Sequence, residues 1–271
     1  MKTAVVWALM LCFCLFPALP VRAEVISMMV SATCTGTPQG VIVEVTATNK
    51  GDEAAVEVRA AARCREVEAV SAPEPELKPG QSFTARLPLS PKIELPGAYL
   101  VEVRVDFQDR HGQPFSALAH TSFAFREGVV PEVLAEPDRV EMNRRGRLSF
   151  RLTNKGDSAR QVKLRLVLPQ ELKAEPVEQE LRLESGQTQA AVFNLENRSA
   201  QDRAEYPVLA FLEYEADGRH YASVSESRVR VVLAGNIFKK YRWGLFAVAA
   251  ALMLAAGLVQ VFEAKAHSDR V

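Results

Sequence analysis

The chain has 271 residues and carries 33 basic against 33 acidic side chains, so it lacks the electrostatic footprint of a nucleic-acid binder. Beside its four histidines there is no G-x-S-x-G elbow, no H-E-x-x-H helix, no phosphate-binding glycine loop and no C-x-x-C pair. These features predict a protein that is not an enzyme and that needs no cofactor or metal.

The first predicted element is a targeting segment. Lys2 is followed by an almost wholly apolar run over 4–19, Pro20 breaks it, and Val21-Arg22-Ala23 places small residues where a signal peptidase reads them. This pattern predicts a signal peptide at 1–23, cleaved before Glu24. Cys12 and Cys14 leave with it, and no cysteine stands at the cleavage site to carry a lipid. The remaining chain has two more acidic than basic side chains.

From Glu24 onward the chain alternates apolar and polar residues in short runs, the signature of half-buried strands. The runs then repeat. Thr48-Asn49-Lys50-Gly51-Asp52 recurs as Thr153-Asn154-Lys155-Gly156-Asp157, 105 positions later. Each copy lies between two alternating runs, and Asn, Gly and Asp are residues of tight turns. Leu77-Lys78-Pro79-Gly80-Gln81 matches Leu183-Glu184-Ser185-Gly186-Gln187 at offset 106, and Tyr99 matches Tyr206 at offset 107. Three landmarks in register predict an internal duplication. About seven short strands per hundred residues, with frequent turn signals, predict that each copy is a β-sandwich. The expected fold is therefore all-β: two tandem immunoglobulin-like β-sandwiches, at 24–126 and 133–233, plus one C-terminal transmembrane α-helix. The linker at 127–132 is short and contains Gly128 and Pro131, which predicts two nearly coaxial sandwiches forming a stiff rod.

The order of strand, Thr-Asn-Lys-Gly-Asp, strand, Pro-Gly or Ser-Gly turn and Tyr-bearing strand resembles the bacterial and archaeal Ig-like domains of the CARDB and NEW3 (alpha-galactosidase-associated) types. The resemblance covers both repeats, although repeat two has Ser185 where the Pro of the Pro-Gly turn would stand. It implies a fold and an exported, membrane-tethered setting, and hardly any specific activity.

Two cysteines remain after export, Cys34 and Cys64, both in repeat one. Cys34 shares a strand face with Ile26, Met28, Val30 and Ala32, and Cys64 shares one with Val56, Val58, Ala60 and Ala62. Two inward-facing cysteines in an oxidising compartment predict a disulfide, on strands other than those of the usual immunoglobulin bridge. Asp106, Asp109 and His111 form the sharpest candidate cation cluster, but Ca²⁺ wants six to eight oxygens and an ordinary polar turn explains these residues. Arg144, Arg145 and Arg147 read as a solvated hairpin tip. Asn197-Arg198-Ser199 fits a glycosylation sequon, which has meaning only in a host that glycosylates.

The last predicted element is an uncharged apolar run at 243–262, long enough at about 1.5 Å per residue to cross a hydrocarbon core. Trp243 and the basic Lys239, Lys240 and Arg242 flank it at the membrane surface, with 234–242 as a juxtamembrane linker. The linker can span at most about 35 Å, so repeat two must stand close to the bilayer. The signal peptide sends the sandwiches across and leaves 263–271 as a cytoplasmic tail, which gives a single-pass type I protein of the inner membrane with its bulk periplasmic or extracellular. Ala247, Ala251 and Ala255 recur at i, i+4 and predict a small-residue face for another helix.

The expected function is that of an accessory or scaffold protein presenting its repeats to another membrane or envelope protein, with self-association also open. The alternative is a tethered envelope- or carbohydrate-binding module. It is weakened because Trp7 and Trp243, the only tryptophans, both lie outside the sandwiches.

Overall fold

The computed structural model describes residues 26–37 and 39–232, and beyond them residues 244, 246–248 and 250–252. The signal peptide, Lys239, Lys240, Arg242, Trp243, Ala255 and the cytoplasmic tail lie outside the described residues. The described part of 243–262 is helical, and Ala247 and Ala251 are exposed on it beside the exposed Phe246, Val248 and Leu252. Among the described residues no helix is long and apolar enough to cross a membrane.

All regular structure between residues 26 and 232 is strand. Repeat one contributes β1 (Met28–Thr37), β2 (Gly40–Asn49), β3 (Ala55–Cys64), β4 (Val67–Val70), β5 (Glu74–Leu77), β6 (Ser82–Leu89), β7 (Gly97–Gln108) and β8 (Pro114–Phe125). Repeat two contributes β9 (Val133–Pro137), β10 (Val140–Met142), β11 (Arg145–Asn154), β12 (Arg160–Val167), β13 (Leu172–Glu175), β14 (Glu178–Leu183), β15 (Thr188–Asn197), β16 (Glu205–Ala216) and β17 (Arg219–Val231). The small sheet β1-β2-β6 covers the core of repeat one, and β13-β15-β11-β9 covers that of repeat two. Opposite both runs one ten-stranded sheet in the order β14-β12-β16-β17-β7-β3-β4, with β5, β8 and β10 pairing off this path.

Alternation explains the two cores. In repeat one Val41, Val43 and Val45 of β2 face Val101, Val103 and Val105 of β7 across the sandwich, all within a few per cent of full burial. Repeat two fills the equivalent space with larger groups, among them Phe150 and Phe193, whose rings meet edge-on at 6.2 Å. One phase differs from expectation. Val56 was expected inward with Val58 and Ala60, but the β3–β7 register shifts between Val56 and Arg59 and Glu57 has φ 54°. This bulge moves the pleat by one residue, so Ala55 is buried and Val56 only half-buried.

The duplicated Thr-Asn-Lys-Gly-Asp segment is a buried corner. Asn49 and Asn154 are both 0% exposed at the ends of β2 and β11. The Asn49 side-chain amide donates to the Glu53 and Leu77 carbonyls at 2.7 and 3.0 Å, while its Oδ1 accepts from Gly51 N. Asn154 donates to the Ser158, Leu183 and Glu184 carbonyls and accepts from Gly156 N. Each Asn thus ties its own turn to the Pro-Gly or Ser-Gly turn, where Gln81 and Gln187 each accept from a backbone amide, of Lys78 and Glu184 respectively. The matched tyrosines also hold corresponding places. Tyr99 donates to the Leu95 carbonyl, and Tyr206 accepts from Gln201 N, each pinning the loop before its strand. This is the tyrosine corner of immunoglobulin-like sandwiches.

The rod expectation does not hold. His220 of β17 lies opposite Gly97 of β7 in a parallel pairing, and His220 N donates to the Pro96 carbonyl at 2.9 Å. The linker folds back so that the repeats lie side by side. The reason is an apolar patch on the outer face of each half of the large sheet, which contact between the repeats removes from water.

The predicted Cys34–Cys64 disulfide is not formed, and both residues are free thiols. Cys34 is half-buried on β1 of the small sheet and Cys64 is buried at the end of β3 in the large one. Facing sheets stand about 10 Å apart, whereas a disulfide needs Cα atoms within about 7 Å, so a bridge requires local approach of the layers. Burial pushes the Cys64 thiol up to about 12 and also raises Cys34, leaving little reactive thiolate.

Candidate functional site at the repeat–repeat interface

The side chains that pack the repeats together project from the outward pleats of core strands. Val101, Val103 and Val105 point into repeat one, so Leu100 and Glu102 of β7 point out. In β16 the core residues Val208, Ala210 and Leu212 leave Leu209 and Phe211 outward. Leu100, Val167, Leu209, Phe211 and Ala222 form one buried cluster, flanked by Leu118 and Val224.

Polar contacts frame the cluster. Arg165 Nη1 reaches Glu102 Oε2 at 2.9 Å and stacks its guanidinium 5.2 Å from the Phe211 ring centre. At the Gly97 end, His220 Nδ1 donates to the Ala98 carbonyl at 2.8 Å and the imidazole stacks on Tyr99 with ring centres 4.3 Å apart. Farther along β8, His120 Nε2 lies 3.2 Å from Glu226.

Glu171 is buried, at 2% exposure, in the turn between β12 and β13. Ser116 of β8 donates to its carboxylate through both backbone N and Oγ at 3.3 Å, and Gln170 N donates to Ser116 Oγ. Burial pushes the Glu171 carboxyl up from its usual range. Hydrogen bonds from its own backbone amide and from Ser116 oppose the shift, and the nearby Asp106 carboxylate adds to it. A carboxyl with a raised folded pKa favours the fold most when protonated. That contribution is full below the ordinary carboxyl range and is lost as pH rises through the raised value. Glu171→Gln keeps an acceptor for Ser116 N and supplies a donor for Ser116 Oγ. The variant is expected to be more stable than the parent at pH 8, with the difference shrinking toward pH 4, as read from urea midpoints at the two pH values.

Beside the interface a groove of about 630 Å³ is lined by residues of both repeats, including Arg63, Lys163, Arg165, Glu178, Glu213 and His220. Its charges are largely paired: Arg63 with Glu68 at 3.0 Å, Lys163 with Glu178 at 3.0 Å, and Arg165 with Glu102.

The other predicted positions fall elsewhere. Asp109 Oδ1 accepts from His111 N and Gln113 N, so its carboxylate organises the β7–β8 hairpin. Asp106 pairs with Arg104 at 3.0 Å. Among the described residues no group of three acidic, His or Cys side chains is placed to hold a metal ion. Asn197 uses its side-chain amide on the Asn143 and Ala200 carbonyls. Arg144, Arg145 and Arg147 lie at the start of β11 and are exposed as expected, but on a connection between two sheets and not on a hairpin, since β10 pairs with β17 and β11 with β15 and β9.

Sequence reasoning missed the interface. A signal was present: Tyr99-Leu100-Val101 and Val208-Leu209-Ala210-Phe211-Leu212 are continuous apolar runs, which mark strands covered on both faces.

No family model matches the chain, and no curated protein matches it. Among solved structures it is similar to the PapD-like domain 7 of human CEP192, at 14% identity over 38% of this chain and 87% of that one, with a TM-score of 0.28. It is also similar to alpha-2-macroglobulin from Escherichia coli, at 10% identity and a TM-score of 0.31, over 76% of this chain but only 18% of that much longer one. The E. coli chaperone DraB matches 37% of this chain and 54% of its own length, at 13% identity and a TM-score of 0.26. The likeness is to Ig-like and PapD-like β-sandwich domains, and it concerns the fold.

Proposed function

We propose that the chain is a membrane-anchored accessory or scaffold protein of the CARDB or NEW3 kind, exported by residues 1–23 and held by a helix at 243–262. Its repeats then stand on the outer side of the inner membrane and present strands and loops to another envelope protein. The observation that best supports this reading is the use of the interface. The repeats are joined by a buried apolar cluster and by the Arg165–Glu102 ion pair, which leaves their outer strands available. Among these, β14 ends the ten-stranded sheet and bonds on one side to β12. An edge of this kind can accept a partner strand, with its charges guarding against indiscriminate pairing.

The test is photo-crosslinking in membranes from the exposed β14 positions Glu178 and Glu180, followed by mass spectrometry. One envelope protein recovered from both positions is the expected result. Complete release of the chain from membranes by alkaline carbonate would refute the anchored reading.

A further inference from the structure

We propose that the end of repeat two from which the chain leaves toward 243–262 is a docking surface for anionic phospholipid headgroups. The inference rests on the membrane-anchored reading and adds a binding site to it.

The exit is built from three segments tied together by backbone hydrogen bonds. β17 ends at Val231, and Val232 N donates to the Met142 carbonyl at 2.7 Å. On one side, the turn from β10 to β11 follows at once. On the other, the loop from β15 to β16 closes against the same strand, with Arg203 N donating to the Val231 carbonyl at 2.7 Å. Asn197 joins the two loops: its backbone N donates to the Arg144 carbonyl, its side-chain amide to Asn143 and Ala200, and its Oδ1 accepts from Ala200 N. The surface is therefore preformed.

Its charges are mixed, with a basic surplus around the depression. Arg144, Arg145, Arg198, Arg203 and Arg230 are exposed around the exit, against Glu141, Glu196, Asp202 and Glu205. Arg230 lies 3.6 Å from Glu141, and Glu205 lies 3.8 Å from Arg228. Arg145 lies 4.0 Å from Glu196 and Arg203 lies 3.8 Å from Asp202, both loose and solvated pairs. Arg144 and Arg198 have no ion-pair partner among the described residues. Between them lies a shallow depression of about 710 Å³, lined by Arg144, Arg145, Arg198, Glu196, Asn197 and Ser199.

Position decides what such a surface meets. Ten residues lie between Val232 and Trp243, a reach of at most about 40 Å when fully extended. The exit is the part of repeat two joined directly to the tether, so a body standing upright on the membrane presents this end to it. The layer it meets first is the headgroup zone, several ångströms deep on each side of the hydrocarbon. Its phosphodiester oxygens match the guanidinium fork, which holds them through paired N–H donors. Basic side chains at an anionic surface add their attractions and lose them with salt.

The full chain is reconstituted into vesicles of phosphatidylcholine alone or mixed with phosphatidylglycerol. Phenylglyoxal modification of each arginine is then followed by mass spectrometry, with Arg86 and Arg182, exposed on other faces, as internal references. The expected result is modification of Arg144 and Arg198 about tenfold slower in the anionic vesicles, recovering at high salt, with Arg86 and Arg182 unchanged. Equal rates in both vesicles, with the chain still resistant to carbonate, overturn the headgroup surface and leave the anchor standing. Protection in both vesicle types that salt does not relieve also overturns it, because burial by another body would then be the cause. Release of the chain by carbonate overturns the anchor itself, and the docking surface with it.

Discussion

Replacing Asn154 with alanine is expected to lower the unfolding free energy of repeat two by about 3 kcal/mol, because it strands several buried backbone groups at once. The side chain is 0% exposed and serves three carbonyls and one amide. Water cannot take over these bonds without opening the corner between β11 and β12. Asn154→Asp should be at least as damaging despite its identical shape, since it aims a carboxylate oxygen at carbonyls that need donors. Asn49→Ala tests the same device in repeat one, where the side chain serves two carbonyls and one amide, and its effect should be somewhat smaller. Urea denaturation of the full chain in detergent, followed by far-UV circular dichroism, measures both. A loss below about 1 kcal/mol for Asn154→Ala, the size of one exposed hydrogen bond, would show that the corner tolerates hydration.

Gly97→Ala should separate the repeats while leaving each sandwich folded. Gly97 has φ 144°, and a Cβ there would run into the His220 backbone carbonyl. The obstacle is main chain on both sides, so no side chain can rotate away. The His220 N–Pro96 bond and the Tyr99–His220 stack sit at the same point and should be lost with the pairing. Relief requires the β7 and β17 ends to part, at about 3 kcal/mol or more of lost interface free energy, given the strain and the broken pairing together. Amide exchange at His220 should accelerate, and the 127–132 linker should become open to proteases. The core amides of β2 and β11 should stay protected. Simultaneous loss of core protection would mean that neither sandwich stands without the other.

The sequence revealed the parts of the fold that depend on short-range rules. Thr-Asn-Lys-Gly-Asp, the following Gly-Gln turn and the tyrosine recur at nearly constant spacing because each is needed to make the same corner twice. Strand phases were also legible wherever the pleat runs unbroken, as in β2 and β11. The phase failed at Val56, where one extra residue enters β3 and no local residue type announces it. The packing of repeat against repeat was hidden for a different reason. Leu100 and Phe211 lie 111 positions apart, and periodicity shows that a strand is covered on both faces without showing by what. For the cysteine pair, a shared inward phase fixes the direction of each side chain and leaves open whether the two sulfurs meet, and both are free thiols.

The side-by-side packing also sets a timetable for biogenesis. The patch around Leu100 and Leu118 is made early, whereas its cover on β16 and β17 belongs to the last strands before the exit. At typical synthesis rates, roughly ten seconds pass between the two. During that interval the apolar face of repeat one lacks its cover, which arrives only once β16 and β17 have been made. Glu102 and Arg104 follow Leu100 on the same outward pleat, and charges beside an uncovered apolar face oppose aggregation. In the finished protein the same Glu102 pairs with Arg165 across the interface, so one charged side chain serves the uncovered face first and the covered one afterwards.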